Sequence, residues 1–229
     1  MRPDCDTGAG GCVQLTRLAG RSGAPRFSPS GFEVAFESQL GNQFEIYDMP
    51  PAGGLPTRLT FDRADDVLPS WSSDSKWLYF GSRRSGSWEI WRMPAHGGQA
   101  DRVTQNGGLR ALASRDGRWL FYSKFNERGL WRRPVDGASE RLVVRDLSCW
   151  GYWELSDHGI YFLKGPGGLG STIHFHDFAT GESSEFLTLG RAPACGEPGM
   201  AVSPNGETLL LTQLELGGRD LVIAEGVGW

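Results

Sequence analysis

Apolar positions along this chain come in short runs of four or five residues, each opened by a polar turn that begins with serine. The runs are "FEVAF", "KWLYF", "RWLFY", "IYFL" and "ETLLL", and the turns before them are "SPSG" from Ser28, "SSDS" from Ser72, "SRDG" from Ser114, "SDHG" from Ser156 and "SPNG" from Ser203. Runs of this length, aromatic and β-branched and bounded by turns, predict buried strands, because they are too short for helices. A second apolar segment follows each run after a polar loop: "FEIYDM", "WEIWRM", "LWRR", "IHFHDF", "DLVIAE". A glycine turn and a further segment come next in "GGLPTRLT", "GGQADRVT", "DGASERLVV" and "TGESSEFLT". No amphipathic stretch of ten residues with helical period interrupts the pattern.

The serine turns recur at steps of 44, 42, 42 and 47 residues. A period of ~40–47 residues fits either four-stranded propeller blades or paired-helix repeats. The strand-length runs decide for blades. The expected fold is therefore all-β: a five-bladed β-propeller of four-stranded antiparallel blades over 1–229, with blades near 24–60, 67–104, 109–144, 151–188 and 198–225. The fifth repeat lacks a fourth segment, whereas "AGGCVQLTR" (Ala9 to Arg17) matches the fourth-strand pattern and precedes the first blade. A strand at 12–17 would complete the last blade and protect the ring's edges. Alternatively, that strand ends a further blade upstream, in a longer propeller. Strands sandwiched between neighbouring blades are covered on both faces and so read as continuous apolar runs. Trp71, Trp77, Trp88 and Trp91 are accordingly expected as filler between blades.

Composition supports many short elements, with 33 Gly and 13 Pro in 229 residues to punctuate turns. The formal net charge of −4, with no basic block, offers nothing for nucleic acid. No apolar run approaches the ~18 residues of a membrane span, and the N-terminus shows no signal peptide. Cys5, Cys12, Cys149 and Cys195 form no CxxC pair, so a structural zinc site is not expected. Cys5 and Cys12 close a small loop if the compartment is oxidising; otherwise all four are unpaired thiols.

The "FSPSG" and "VSPNG" turns with "GG…RLT" fourth strands resemble TolB-like, WD-type propeller repeats from about Ala9 to Glu225. Two segments, "CWGYWELSDHGIYFL" and "CGEPGMAVSPNGETLLLTQLELGGRDLVIAE", resemble the C-terminal propeller part of bacterial sensor-regulators that join a winged helix, a membrane span and a TolB-like propeller. The resemblance implies a bacterial, periplasmic protein-binding module. It is specific for fold and says little about function, because propellers are display scaffolds.

Motifs for catalysis are missing. There is no GxSxG elbow and no GxxxxGK[ST] loop, and "GPGGLG" (Gly165 to Gly170) lies between two strands with no helix after it. His174 and His176, at i and i+2 on a strand, share one face but find no third metal ligand; no metal and no cofactor are expected. Asp65, Asp66, Glu154 and Glu197 fall near the starts of inner strands, where a glycoside hydrolase or lyase would place its acid and base. That is the runner-up function. The leading one is a non-catalytic binding or sensory module that takes a peptide, protein or saccharide on one ring face. Arg63, Arg83, Arg84, Lys124, Arg128, Lys164 and Arg191 are expected along that rim. "CWGYWELS" breaks the repeat by putting three aromatics where "GGLRALAS" has one arginine and small residues. If the module takes a small ligand, Trp150, Tyr152, Trp153 and Arg110 are therefore the expected binding residues at the channel mouth; the alternative is that Trp153 fills extra core volume.

Overall fold

In a computed structural model of the chain, the residues described are 14–137, 139–203, 208–215 and 218–225. They form nineteen strands in five antiparallel sheets, with no helix among them. The first sheet contains β1 (Ser22–Phe27), β2 (Val34–Leu40), β3 (Gln43–Met49) and β4 (Thr57–Arg58). The second contains β5 (Asp66–Trp71), β6 (Trp77–Ser82), β7 (Glu89–Pro94) and β8 (Asp101–Arg102). The third contains β9 (Arg110–Ala113), β10 (Trp119–Ser123), β11 (Leu130–Pro134) and β12 (Arg141–Val144). The fourth contains β13 (Trp153–Leu155), β14 (Gly159–Lys164), β15 (Thr172–Asp177) and β16 (Ser183–Thr188). The last contains β17 (Met200–Val202), β18 (Thr208–Glu215) and β19 (Gly218–Glu225). Every sheet runs in sequence order from its first strand outward, which is the meander of a propeller blade.

The recurring serine has a local cause. Ser28, Ser72, Ser114 and Ser203 each accept, on Oγ, the backbone N–H five residues on, at 3.1, 2.9, 3.0 and 2.9 Å. The hydroxyl closes the turn that sends the first strand into the second. A second repeated device fixes the very short β4 and β8. Glu45 and Glu89 are buried at the outset of the third strand. Thr60 and Thr104 donate to them at 2.7 Å, and Arg58 and Arg102 pair with them at 2.5 and 3.0 Å. The same threonine oxygens accept the Ile46 and Ile90 N–H groups. Two residues of ladder thereby gain a charged anchor.

Apolar cores lie between successive blades. Ile46 and Leu59 of the first meet Trp71, Leu78 and Met93 of the second. Tyr79 and Ile90 meet Leu120, Tyr122 and Trp131. Phe121, Leu130 and Val144 meet Trp153, Ile160 and Phe162. Tyr152, Tyr161 and Ile173 meet Met200, Leu209 and Leu211. Burial of aromatics and aliphatics on both sheet faces is what the unbroken apolar runs reflect. Trp71 and Trp91 do serve as filler there, but Trp77 is only half-buried under Arg92, and Trp88 faces a cavity instead.

The last sheet shows three strands among the described residues. Of the closing strand expected at 12–17, residues 12 and 13 lie outside the described residues, and 14–17 form no ladder. Just beyond, Leu18 packs on Phe36, Tyr47 and Met49 of the first blade. The cysteines differ from expectation too: Cys149 and Cys195, with Cα atoms 5.4 Å apart, form a disulfide. Their spacing of 46 residues is one repeat step, so they occupy matching loops of adjacent blades. Cys5 and Cys12 are outside the described residues.

Candidate functional site

The first strands β1 and β5, β5 and β9, and β13 and β17 contact one another beside a central space. Their N-terminal ends, with the loops beside them, enclose a cavity of about 630 Å³. Two of these strands are bulged, β1 between Gly23 and Arg26 and β5 between Val67 and Ser70. At each bulge a residue that precedes a proline takes a positive φ, 48° at Ala24 and 56° at Leu68. For an L-residue that conformation costs about 1–2 kcal/mol. Both bulges line the cavity. At the second, the freed Leu68 N–H donates to Glu37 Oε2 at 2.7 Å.

The wall is an ion network. Glu154 is buried and takes Arg110 from the third blade at 2.8 Å and Arg26 from the first at 3.3 Å. Burial alone would push its carboxyl up, but Arg26 and Arg110 outweigh that and hold it below the usual glutamate range. The Arg110 guanidinium lies 4.7 Å over the Trp153 ring and also donates to the Trp153 carbonyl. One carboxylate therefore links three blades across the central space.

The mouth is aromatic. Phe44 comes from the start of β3, Trp88 and Phe125 from the loops between second and third strands of the next two blades, and Trp150 from the loop before β13. Arg21 stacks over Phe44 at 5.6 Å and Arg83 over Trp88 at 5.5 Å. The Trp150 carbonyl is fixed by Ser123 Oγ at 2.7 Å and Trp153 Nε1 at 3.0 Å, which holds the loop in place. Three carboxylates share the cavity: Glu37, Asp65 and Glu197. Burial raises the Glu37 pKa, the Leu68 N–H lowers it, and Glu197 raises it further.

Of the four residues expected at the mouth, Trp150 and Arg110 line the cavity, whereas Tyr152 and Trp153 do not. Both are fully buried, so the expectation is corrected for them. Tyr152 faces the seam between the last two blades, where its hydroxyl accepts the Ala194 N–H at 2.9 Å and bonds Thr212. Trp153 faces the seam on the other side. Alternation along an extended segment explains the split, since neighbours in sequence point to opposite faces. Of the four expected carboxylates, Asp65 and Glu197 line the cavity, while Asp66 is held by Arg84 at 2.7 Å and Glu154 by the wall network. The basic rim is also largely engaged: Lys124 is buried between Glu140 and the Trp131 ring, and Lys164 pairs with Asp146. His174 and His176 bond Thr172 and Ser183 separately.

Glu37 escaped the reading of inner-strand starts because it lies on a second strand. A signal was present: its equivalents in blades 2 and 3 are Gly81 and Ser123, so a glutamate stands where those two blades keep a small residue. Phe44 and Phe125 were masked by the abundance of aromatics elsewhere.

The crystal structure of TolB from Acinetobacter baumannii superposes with a TM-score of 0.77 at 20% identity, covering 92% of this chain and 53% of that one. A putative TolB from Agrobacterium tumefaciens gives 0.63 at 21% identity, covering 87% of this chain and 72% of that one. A puromycin-hydrolyzing peptidase of Mycobacterium tuberculosis gives 0.65 at 17% identity over 89% of this chain but only 35% of that one. At these identities the likeness is one of fold. In sequence, the uncharacterized protein Atu1656 of Agrobacterium fabrum is 34% identical over 80 residues, which span 35% of this chain and 27% of that protein. The chain thus spans about half of the TolB structure and about a quarter of that relative. The pattern of the Tricorn protease N-terminal beta propeller domain matches residues 5–176 of the 229, and the chain belongs to that β-propeller family.

Proposed function

We propose that this propeller is a non-catalytic binding module, and that the mouth of the central cavity receives a short segment of a protein or peptide partner. The observation that carries the reading is the convergence of Phe44, Trp88, Phe125 and Trp150, from three blades and the loop into a fourth, on one cavity of about 630 Å³. A volume of that size suits a few residues of extended chain. Rigid aromatic faces supply contact area at small entropic cost, and Arg21 beside Glu37 and Asp65 offers partners for backbone amides and for charges of either sign. Glu154 in the wall network and Asp66 outside it are committed to arginines, which argues against their use as acid and base. The Cys149–Cys195 disulfide suits an oxidising compartment such as the periplasm. Among the described residues no helix is long and apolar enough to cross a membrane.

The test is a display screen of random peptides against the immobilised propeller, run beside a glycan array and a panel of chromogenic glycosides. Peptides should be enriched whose binding is lost in Trp150→Ala and Phe125→Ala while the thermal midpoints stay within a degree or two of wild type. Binding only to glycans would replace the peptide by a saccharide. Turnover of a glycoside abolished by Glu197→Gln or Glu37→Gln would overturn the non-catalytic reading.

A further inference from the structure

At the end of the sheets away from the mouth, blade 1 breaks its own repeat. In blades 2 and 3 a tryptophan opening the second strand lies under an arginine of the third: Trp77 under Arg92 at 4.9 Å, and Trp119 under Arg132 at 4.4 Å. The equivalent positions in blade 1 hold Glu33 and Asp48. Two acids replace an aromatic and a cation, and like charges at one place are costly without a cation between them. The next blade brings one more group to the spot. The turn after β7 carries His96, whose Nδ1 is 3.2 Å from Glu33 Oε1.

One ligand atom from each of Glu33, Asp48 and His96 lies within 4.8 Å of the others. Asp48 is only 9% exposed, and its Oδ1 is buried with no hydrogen-bond partner. Leaving a carboxylate oxygen in that state costs free energy unless something positive meets it. The His96 side chain is 78% exposed, so the cluster is reached from solvent. We propose that Glu33, Asp48 and His96 form a binding site for one first-row divalent cation of the zinc type, at the seam between blades 1 and 2. An imidazole nitrogen with two carboxylates selects such ions over calcium and magnesium, which prefer all-oxygen shells. The 3.2 Å between His96 and Glu33 is close to the edge of a tetrahedron built on bonds of ~2.0–2.1 Å, about 3.3 Å. Three protein ligands leave a fourth position for water or a partner's side chain. The cation also joins blade 1 to blade 2 at the face opposite the mouth, and this site is independent of what the mouth binds.

Full-length, untagged protein is stripped with a chelator and titrated with Zn²⁺ by calorimetry and with Co²⁺ by visible absorption. Expected are saturable binding near one equivalent, tetrahedral-type Co²⁺ bands displaced by Zn²⁺, and no competition from millimolar Mg²⁺ or Ca²⁺. His96→Ala and Asp48→Asn should each weaken Zn²⁺ binding at least tenfold, while His174→Ala leaves it unchanged. Because His96 is exposed, metal-free His96→Ala should melt with the metal-free wild type, and this keeps misfolding apart from ligand loss. Wild type that shows no saturable binding overturns the proposal. So does binding that survives both His96→Ala and Asp48→Asn, which would put the ion elsewhere, for instance at Cys5 and Cys12. Displacement of Zn²⁺ by Ca²⁺ would overturn the assignment of cation class.

Discussion

Replacing Glu154 by alanine strands the Arg110 guanidinium, and the structure sets the size of the effect. The Arg110 side chain is 3% exposed and its carboxylate partner 9%, so water cannot take over the lost contacts without the wall opening. Breaking one side of a pair this deeply buried costs about 3–5 kcal/mol, most of it from the uncompensated charge left behind. Unfolding entropy of ~2.1 cal/mol/K per residue over 229 residues turns that into a fall in thermal midpoint of about 6–10 °C. Calorimetry at neutral pH reads the shift, with urea unfolding as a second measure. The double variant Arg110→Met/Glu154→Leu removes both charges and should regain most of the loss, because hydrophobic pairs of similar volume replace buried ion pairs at little net cost. If Glu154→Ala alone costs under ~1 kcal/mol, or if the double variant is worse than the single one, the carboxylate does not hold the wall. The pH profile supplies an independent reading. The folded-state pKa of Glu154 lies below its unfolded value, so its contribution is complete above about pH 4.5 and fades as pH falls through the folded value. The advantage of wild type over Glu154→Gln should shrink in that acid window.

Thr60→Val and Thr104→Val each remove a hydroxyl that donates to a buried glutamate and accepts a backbone N–H; each should cost about 2 kcal/mol in urea unfolding, and the losses should add, because the sites are in different blades. Glu37→Gln keeps an acceptor for the Leu68 N–H and removes a charge whose pKa burial has raised, so it should stabilise at pH 7; the gain should vanish as pH falls into the carboxylate range, where wild-type Glu37 is itself protonated. Tyr152→Phe should lower stability by about 1–2 kcal/mol through the unpaired Ala194 N–H and leave ligand binding intact, the reverse of Trp150→Ala. Reduction of Cys149–Cys195 releases a loop of 46 residues and should cost about 4 kcal/mol on chain entropy, read as a denaturation midpoint with and without dithiothreitol.

The blade pattern was legible because a single physical demand recurs in it. Every first-to-second turn needs the serine oxygen, and every second strand is sandwiched, so Ser28, Ser72 and Ser114 and the runs after them announce themselves. The mouth was only half legible. Trp150 breaks the repeat and was named on that ground, with Arg110 taken from the matching stretch of the third blade, but the same break drew in Tyr152 and Trp153, whose rings serve the seams. Parity along three or four irregular residues cannot be read before β13 is placed. Glu37 and the trio Glu33, Asp48 and His96 show the converse. Glu37, Glu33 and Asp48 are repeat-breaking charges visible in the sequence, but their meaning depends on which loop of the neighbouring blade, such as the one carrying His96, stands opposite.

The disulfide has a mechanical consequence at the mouth. Cys149 adjoins Trp150, and Cys195 lies two residues before Glu197, so the two loops that present these side chains hang from one sulfur link. A ligand that draws Trp150 inward must carry the Glu197 loop with it, and one that pushes Glu197 aside must displace the indole as well. The sulfur link is reinforced by the Gly199 N–H, which donates to the Gly151 carbonyl at 3.3 Å, so the two loops face those of blades 1 to 3 as one doubly tied unit.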